Sequence, residues 1–154
     1  MLYFAYGSNM HWEQMRKRCP SSRFVAVAVL PDRTLAFSRR STKRNCGVAD
    51  AVSAPGEKVW GVVYEISDTE LSNLDRAEGF LCGREQNAYR RCQTQVFADG
   101  KAERPLTVWT YFATPEPNPP LPNQEYMRLL LEGAKHWGLP QRYIQKLKQV
   151  KVSE

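Results

Sequence analysis

The sequence has few of the residues that build metal centres or thiol chemistry. It holds two histidines, and neither His11 nor His136 stands in an H-x-x-x-H motif or beside a cysteine. Both are expected to be surface residues at helix ends and not ligands. The four cysteines are too widely spaced for paired C-x-x-C knuckles and are expected to be reduced thiols, most of them buried: Cys19, Cys46, Cys82 and Cys92. A metal site is therefore not predicted.

Long apolar runs and glycine-rich phosphate-binding motifs are also missing. No stretch approaches the roughly 20 apolar residues that cross a bilayer, so a soluble protein without a membrane partner is expected. The N-terminus, MLYFAYGSNM, has no basic opening and no small-residue cleavage site, which is typical of a first strand and not of a signal peptide. We expect a cytoplasmic protein, and without a phosphate cradle we predict no cofactor.

Hydrophobic residues make up 42% of the 154 residues, which is enough to build the core of one domain over residues 1–154. We expect this domain to be a monomer or a homodimer. The formal net charge is +6. The densest basic stretch lies between two predicted strands and contains Arg39, Arg40, Lys43 and Arg44. Because aromatic residues do not alternate with these charges, the stretch indicates solvated surface and not a nucleic-acid footprint.

Apolar runs bounded by turn residues predict the strands 2–6, 24–30, 34–38, 48–53, 59–66, 88–97 and 106–113. Residues 31–33 and the Pro55-Gly56 pair are each expected to form the turn of a hairpin. Asp99 and Gly100 are expected to connect the last two strands.

Capping residues mark four helices between and after these strands. Ser8 or Asn9 is expected to cap the first helix, the S-x-x-E pattern from Ser67 opens the second, Asn123 opens the third and Pro140 the last. Gly79 and Gly138 are expected to end the second and third helices. The proline-rich segment 114–122 excludes helix and central strand and predicts an extended loop. The fold class is therefore α+β, with a mostly antiparallel, barrel-like sheet flanked by short helices in a single domain.

An acidic residue ends the apolar face of the second helix. Glu78 follows Leu71 and Leu74 at i+7 and i+4. Burial would raise the pKa of this carboxyl, as a general acid/base near neutral pH requires. Gly79 would let the chain turn and leave one side open to a ligand. The alternative is that Glu78 turns into solvent or pairs with an arginine.

The YGSN turn at residues 6–9 is the second candidate site. Gly7 is expected to adopt a backbone conformation closed to other residues, so that the amides of Gly7, Ser8, Asn9 and Met10 converge where a helix begins. Converging amides could bind a carboxylate or the oxyanion of an attacked amide. The alternative is an ordinary connection in which serine and asparagine merely cap.

Together these segments resemble the γ-glutamylcyclotransferase family along nearly the whole chain. The matching stretches are LYFAYGSNM at 2–10, VWGVVYEI at 59–66, LDRAEGF at 74–80, AYRR at 88–91 and GAKHWGLPQRYIQKLK at 133–148. The resemblance implies cleavage of a γ-glutamyl amide by its own α-amine, which releases 5-oxoproline and a free amine or amino acid. The expected partner is thus a small-molecule γ-glutamyl substrate, with no nucleic acid.

The resemblance also implies roles for individual residues. Glu78 would be the general acid/base, and Tyr6, Gly7, Ser8 and Asn9 would form the loop that holds the glutamyl group with backbone amides. Tyr126 and Tyr89 look like the pocket tyrosines of the family, although both could equally be core aromatics.

Two other functions remain open from the sequence. One is a non-catalytic module on the same fold that binds a protein or a polyanion, for instance through PEPNPPLP. The other is a plain amidase in which Glu78 activates water, so that the product is glutamate. The leaving amine is open as well: an amino acid, a polyamine, a lysine side chain, glutathione or a specialised metabolite.

Overall fold

A computed structural model of the protein describes residues 1–84 and 87–153. The strands are β1 (Leu2–Ala5), β2 (Arg23–Ser41), β3 (Cys46–Glu65), β4 (Tyr89–Ala98) and β5 (Pro105–Ala113). The helices are α1 (Trp12–Arg18), α2 (Asp68–Glu78), α3 (Gln124–Trp137) and α4 (Gln141–Lys148), and a 3-10 turn at Ser8–Met10 precedes α1. No helix in the described ranges is long and apolar enough to span a membrane.

The five strands close into a barrel in the order β1-β3-β2-β4-β5. All neighbours are antiparallel except β1 and β5, which pair in parallel where Tyr3 lies opposite Trp109. This agrees with the predicted α+β class and the mostly antiparallel, barrel-like sheet. The proline-rich segment 114–122 contains neither helix nor strand, as predicted.

The two hairpins predicted around residues 31–33 and 55–56 are wrong. β2 and β3 each run straight through, and together they form one long hairpin that reverses at residues 42–45. The pairing skips residues between Pro31/Lys58 and Arg33/Ser53, so the turn-forming residues of both strands lie opposite each other. Asp32 has φ 59° and accepts a hydrogen bond from the Gly56 N–H at 3.0 Å. The two turn signals therefore produce paired bulges that bend the hairpin without reversing it.

The caps of α2 and α3 are as predicted. Ser67 and Glu70 form a reciprocal capping box at the start of α2, and Gly79 ends that helix in the left-handed conformation with φ 70°. Asn123 caps α3 by accepting the Tyr126 N–H, and Gly138 ends it in the same way as Gly79. These caps fix where each helix begins and ends, and thus where Glu78 and Tyr126 lie.

The predicted cap of the first helix is wrong. Ser8 and Asn9 belong to the 3-10 turn, and α1 begins only at Trp12 with His11 as its N-cap and no side-chain cap bond. His11 was expected at the surface but is buried, with Nε2 at 2.9 Å from Glu132 Oε1. It is buried because α3 packs directly over the 3-10 turn. His136, by contrast, is exposed as predicted.

Only two of the four cysteines are buried, so the prediction that most of them pack in the interior was wrong. Cys19 and Cys46 are buried, Cys92 is partly exposed and Cys82 is exposed. Cys82 follows α2 in the surface segment after Gly79 and does not line the cavity described below. All four are free thiols.

Candidate active site

A cavity of about 340 Å³ is lined by the 3-10 turn, the end of α2, the β2–β3 turn, the start of α3 and residues of the barrel strands. It falls within the usual range for small-ligand pockets, roughly 300–1,000 Å³. Predicted site residues that line it are Tyr6, Gly7, Ser8, Asn9, Glu78, Tyr89 and Tyr126. Met10 does not line it.

Glu78 is the last residue of α2, and its side chain is partly buried in the cavity wall. Burial raises the pKa of the carboxyl above its usual value. Arg18, and after it Arg44, act in the opposite direction because their positive charges favour the carboxylate. The group is thus a carboxyl that is easier to protonate than usual but lies in an electropositive setting.

Phenol rings surround this carboxyl. Five buried tyrosines line the cavity: Tyr3, Tyr6, Tyr89, Tyr111 and Tyr126. Burial raises the pKa of each phenol, and the negative charge of Glu78 adds to the rise in all five. The phenols therefore stay protonated at neutral pH and can serve as neutral hydrogen-bond donors or acceptors.

A hydrogen-bond network fixes Asn9 at the back of the cavity. Its Oδ1 accepts from Gln14 Nε2 at 2.8 Å and from Arg18 Nη1 at 2.9 Å, and its Nδ2 donates to Tyr3 Oη at 2.9 Å. Because a guanidinium can only donate, the amide orientation of Asn9 is settled by these partners. Tyr3 Oη is therefore an acceptor in this bond, and its own O–H proton can point to a ligand.

The backbone of Ala49 bonds to both predicted pocket tyrosines, as a donor to one hydroxyl and as an acceptor from the other. Its N–H donates to Tyr126 Oη at 2.9 Å, whereas its C=O accepts from Tyr89 Oη at 2.6 Å. Tyr89 has thus committed its proton to the backbone. The Tyr126 proton has no acceptor in residues 1–84 and 87–153, so it can be donated into the cavity.

The 3-10 turn presents fewer amides than expected. Its first internal bond runs from Met10 N to Gly7 O at 3.1 Å, so the amides of Ser8 and Asn9 have no acceptor within the turn, whereas the Met10 amide is occupied. Met10 itself is fully buried in the core. The prediction that the Met10 amide belongs to the converging set at the site is therefore wrong.

Gly7 saves space beside Tyr126. Its φ is −114° and its ψ is −138°, so it does not adopt the left-handed conformation. A Cβ on Gly7 would lie 3.2 Å from Ala49 Cβ and 3.3 Å from Tyr126 Oη. The glycine therefore lets Tyr126 approach the turn.

The sequence model of the AIG2-like family matches residues 58–147. The γ-glutamylcyclotransferase of Mus musculus is 36% identical over 158 aligned residues, covering 99% of this chain and 80% of the relative. The chain belongs to the γ-glutamylcyclotransferase family. The Homo sapiens relative is 35% identical with the same coverage. A solved structure named γ-glutamyl cyclotransferase has a TM-score of 0.89 at 33% identity and covers 100% of this chain and 89% of that one.

Membership of the γ-glutamylcyclotransferase family does not favour the alternative of a non-catalytic binding module. It agrees with the resemblance inferred from the sequence and with the observed barrel. A yeast γ-glutamyl cyclotransferase described as specific to glutathione has a TM-score of 0.60 but only 14% identity, so that likeness concerns the fold alone.

Sequence reasoning missed the cationic wall of the cavity. Arg39, Arg40, Lys43 and Arg44 were expected to be plain solvated surface, yet all of them line the cavity together with Arg18 and Arg76. The signal that could have located them is the position of the reversal in the β2–β3 hairpin. Because that reversal was predicted in two other places, the basic stretch could not be assigned to the mouth of the site.

Asp50 and Asp75 were also missed, and both support residues of the cavity wall. Buried Asp50 accepts from the Ala51 and Ala113 amides and from Ser38 Oγ, which ties β3 to β5 behind Ala49. Asp75 accepts from Tyr111 Oη at 2.6 Å. Within the described ranges, no group of three His, Cys, Asp or Glu side chains is arranged to hold a metal ion.

Proposed function

We propose that this protein cleaves γ-glutamyl amides by cyclisation, releasing 5-oxoproline and a free amine or amino acid. The observation that carries the proposal is the shared cavity of Glu78 and the 3-10 turn, with a carboxyl whose pKa burial raises. Membership of the γ-glutamylcyclotransferase family supports the same reaction.

The substrate supplies its own nucleophile, because its α-amine can reach the γ-carbonyl carbon and close a five-membered ring. The new bond joins the α-nitrogen to that carbon, and the bond from the carbon to the leaving nitrogen breaks. Holding the chain in the ring-closing shape converts the attack into an intramolecular step, for which effective molarities reach about 10⁵ to 10⁸ M. The cavity wall would therefore contribute mainly by positioning.

Glu78 would relay the protons. The α-ammonium loses two protons as its nitrogen becomes the lactam nitrogen, and the leaving nitrogen gains both when it departs as an ammonium group. A carboxylate with a raised pKa can accept and return a proton in turn, which typically contributes about 10² to 10⁴-fold in rate. No residue of the protein needs to form a covalent bond with the substrate.

The free donors of the cavity would stabilise the charges of the substrate. The amides of Ser8 and Asn9 and the O–H groups of Tyr3 and Tyr126 are available for the substrate carboxylate and for the oxyanion formed at the γ-carbonyl. Tyr6 and Tyr89 would shape the wall, since their protons are bonded to the backbone oxygens of Tyr111 and Ala49.

Product identification tests the proposal. The purified protein is incubated with a panel of γ-glutamyl amino acids, γ-glutamylamines and glutathione, and the products are analysed by mass spectrometry. We expect 5-oxoproline in stoichiometric amounts with the released amine. Glutamate as the product would indicate a hydrolytic amidase, and no product from any member of the panel would refute the proposed reaction. We also propose that the substrate is a small molecule and that the protein is cytoplasmic. We further propose that it folds as a single domain over residues 1–154 and acts as a monomer or homodimer.

A further inference from the structure

The lining of the cavity is strongly unbalanced in charge. Among residues 1–84 and 87–153, six cationic residues line it together with a single acidic one, Glu78; the cationic residues are Arg18, Arg39, Arg40, Lys43, Arg44 and Arg76. Of these, only Arg39 pairs with a carboxylate in the described part of the chain, with Nε 3.5 Å from Glu116 Oε1. The surplus is larger than the single carboxylate of a γ-glutamyl group requires.

Three of the remaining cationic side chains donate hydrogen bonds to neutral amide side chains. Arg18 donates to Asn9, Arg44 donates to Gln14 Oε1 at 2.6 Å, and Arg76 donates to Asn73. These bonds hold the guanidinium groups in place but do not neutralise them. Their charge therefore still acts on whatever lies in the cavity.

Arg40 and Lys43 are different because their side chains form no hydrogen bond or ion pair with residues 1–84 or 87–153. Both are exposed at the end of the β2–β3 hairpin, on the outer rim of the cavity. The backbone places them there: Arg40 pairs with Gly47 as β2 ends, and Lys43 lies within the four-residue reversal. They are charged groups that a bound anion can engage without breaking any internal contact.

The rim also has room for more than a glutamyl group. A second hollow of about 680 Å³ adjoins the cavity and shares Arg18, Lys43 and Arg44 with it. In the described part of the chain its acidic residues are Glu13 and Glu132, and Glu132 is paired with Arg128 and His11. A leaving group that extends from the γ-carbonyl past Lys43 thus meets mainly positive charge.

Resting on the proposed function, we infer that the preferred substrates are γ-glutamyl compounds whose leaving amine carries two negative charges, and that Arg40 and Lys43 select them. Cationic leaving amines such as polyamines and lysine side chains are disfavoured, because six like charges repel them. A neutral or singly charged leaving group fits the same cavity but leaves the rim cations without an anion.

Three substrates with graded charge test the inference. γ-Glutamylglutamate and γ-glutamylglutamine have leaving groups of nearly the same shape that differ by one negative charge, and γ-glutamylputrescine has a cationic leaving amine. We expect kcat/KM for γ-glutamylglutamate to exceed that for γ-glutamylglutamine by at least about tenfold, with γ-glutamylputrescine the slowest. The preference should shrink as salt concentration rises.

The double variant Arg40→Gln/Lys43→Gln should reduce the ratio between the two matched substrates to about twofold or less. The control is Lys58→Gln/Lys101→Gln, which removes the same two charges at exposed positions outside the cavity lining and should keep the wild-type ratio. A wild-type ratio near one, or a ratio that both double variants lower equally, would overturn the inference. In either case 5-oxoproline would still form, whereas failure of the proposed function would abolish it for all three substrates.

Discussion

At the Tyr126 hydroxyl, the direction of one hydrogen bond decides what the group can offer a ligand. Because the Ala49 N–H donates to Tyr126 Oη, the proton of this phenol has no acceptor among the described residues, whereas Tyr89 donates its proton to the Ala49 carbonyl. Tyr126→Phe should therefore lower kcat/KM for 5-oxoproline formation by about tenfold or more, with a smaller loss for Tyr89→Phe. Steady-state kinetics of the two variants measures the difference. Equal losses would mean that Tyr126 donates nothing to the substrate.

The charge next to Glu78 sets the pH at which the carboxyl becomes a base. Arg44 favours the ionised form, so its positive charge lowers the pKa that burial has raised. In the proposed mechanism, proton uptake from the α-ammonium requires ionised Glu78. The acid limb of the pH profile of kcat/KM should then move to higher pH in Arg44→Gln.

The control for this shift is Lys101→Gln, which removes one positive charge at an exposed turn outside the cavity lining. Its acid limb should stay where the wild-type limb lies. A limb that moves to lower pH in Arg44→Gln, or moves equally in both variants, would contradict the role given to Glu78.

At the scale of elements, the C-terminus of α2 decides where Glu78 points. Gly79 has φ 70°, and a Cβ there would lie 3.2 Å from Ala88 Cβ. Gly138 ends α3 with φ 77° and open space around it. Gly79→Ala and Gly138→Ala should each lose about 1 kcal/mol of stability from left-handed strain.

Only the Gly79→Ala variant should also lose activity, because its displaced helix end carries Glu78, the carboxyl that we propose as the general acid/base. Urea unfolding and kcat/KM for both variants separate the two effects. If Gly138→Ala lost as much activity as Gly79→Ala, the loss would reflect general destabilisation and not the position of α2.

The caps of α2 and α3 were predictable because their signals are local. Each capping bond of these two helices joins residues no more than four positions apart, so the sequence spacing contains the whole interaction. This holds for Ser67, Glu70, Asn123 and the glycines after α2 and α3. The β2–β3 hairpin was not predictable in this way. Pro31, Asp32, Pro55 and Gly56 carry ordinary turn signals, and only their pairing across the strands turns them into bulges.

At the scale of the whole molecule, the barrel brings together residues that are far apart in sequence. The places of Glu78 and the YGSN turn in the fold were predictable, since Glu78 ends an apolar helix face and the turn lies at a strand-to-helix junction; their roles in catalysis are our proposal. The six cations of the cavity come from α1, α2 and the β2–β3 hairpin, and no sequence pattern links these elements. The buried position of His11 likewise depends on α3, more than 100 residues away.

The raised pKa of Glu78 also affects the stability of the whole molecule. A carboxyl whose folded-state pKa is raised makes the native state less stable once the pH exceeds the ordinary carboxyl range, where it ionises in the unfolded chain. Removing the negative charge of Glu78 should therefore not lower the free energy of unfolding at neutral pH. Any stability gained should disappear as the pH falls below the ordinary carboxyl range, where Glu78 is protonated in both the folded and the unfolded state.

The most direct measurement is the rate of 5-oxoproline formation by Glu78→Gln, with Glu57→Gln as a control at an exposed carboxyl outside the cavity. We expect a loss in kcat of at least about 10²-fold for Glu78→Gln, because the amide keeps the shape but cannot relay protons. Substrate binding by calorimetry and the free energy of unfolding at pH 7 should be no weaker than in the wild type. Turnover near the wild-type rate in a folded, substrate-binding Glu78→Gln protein would contradict the proton-relay role proposed for this carboxyl.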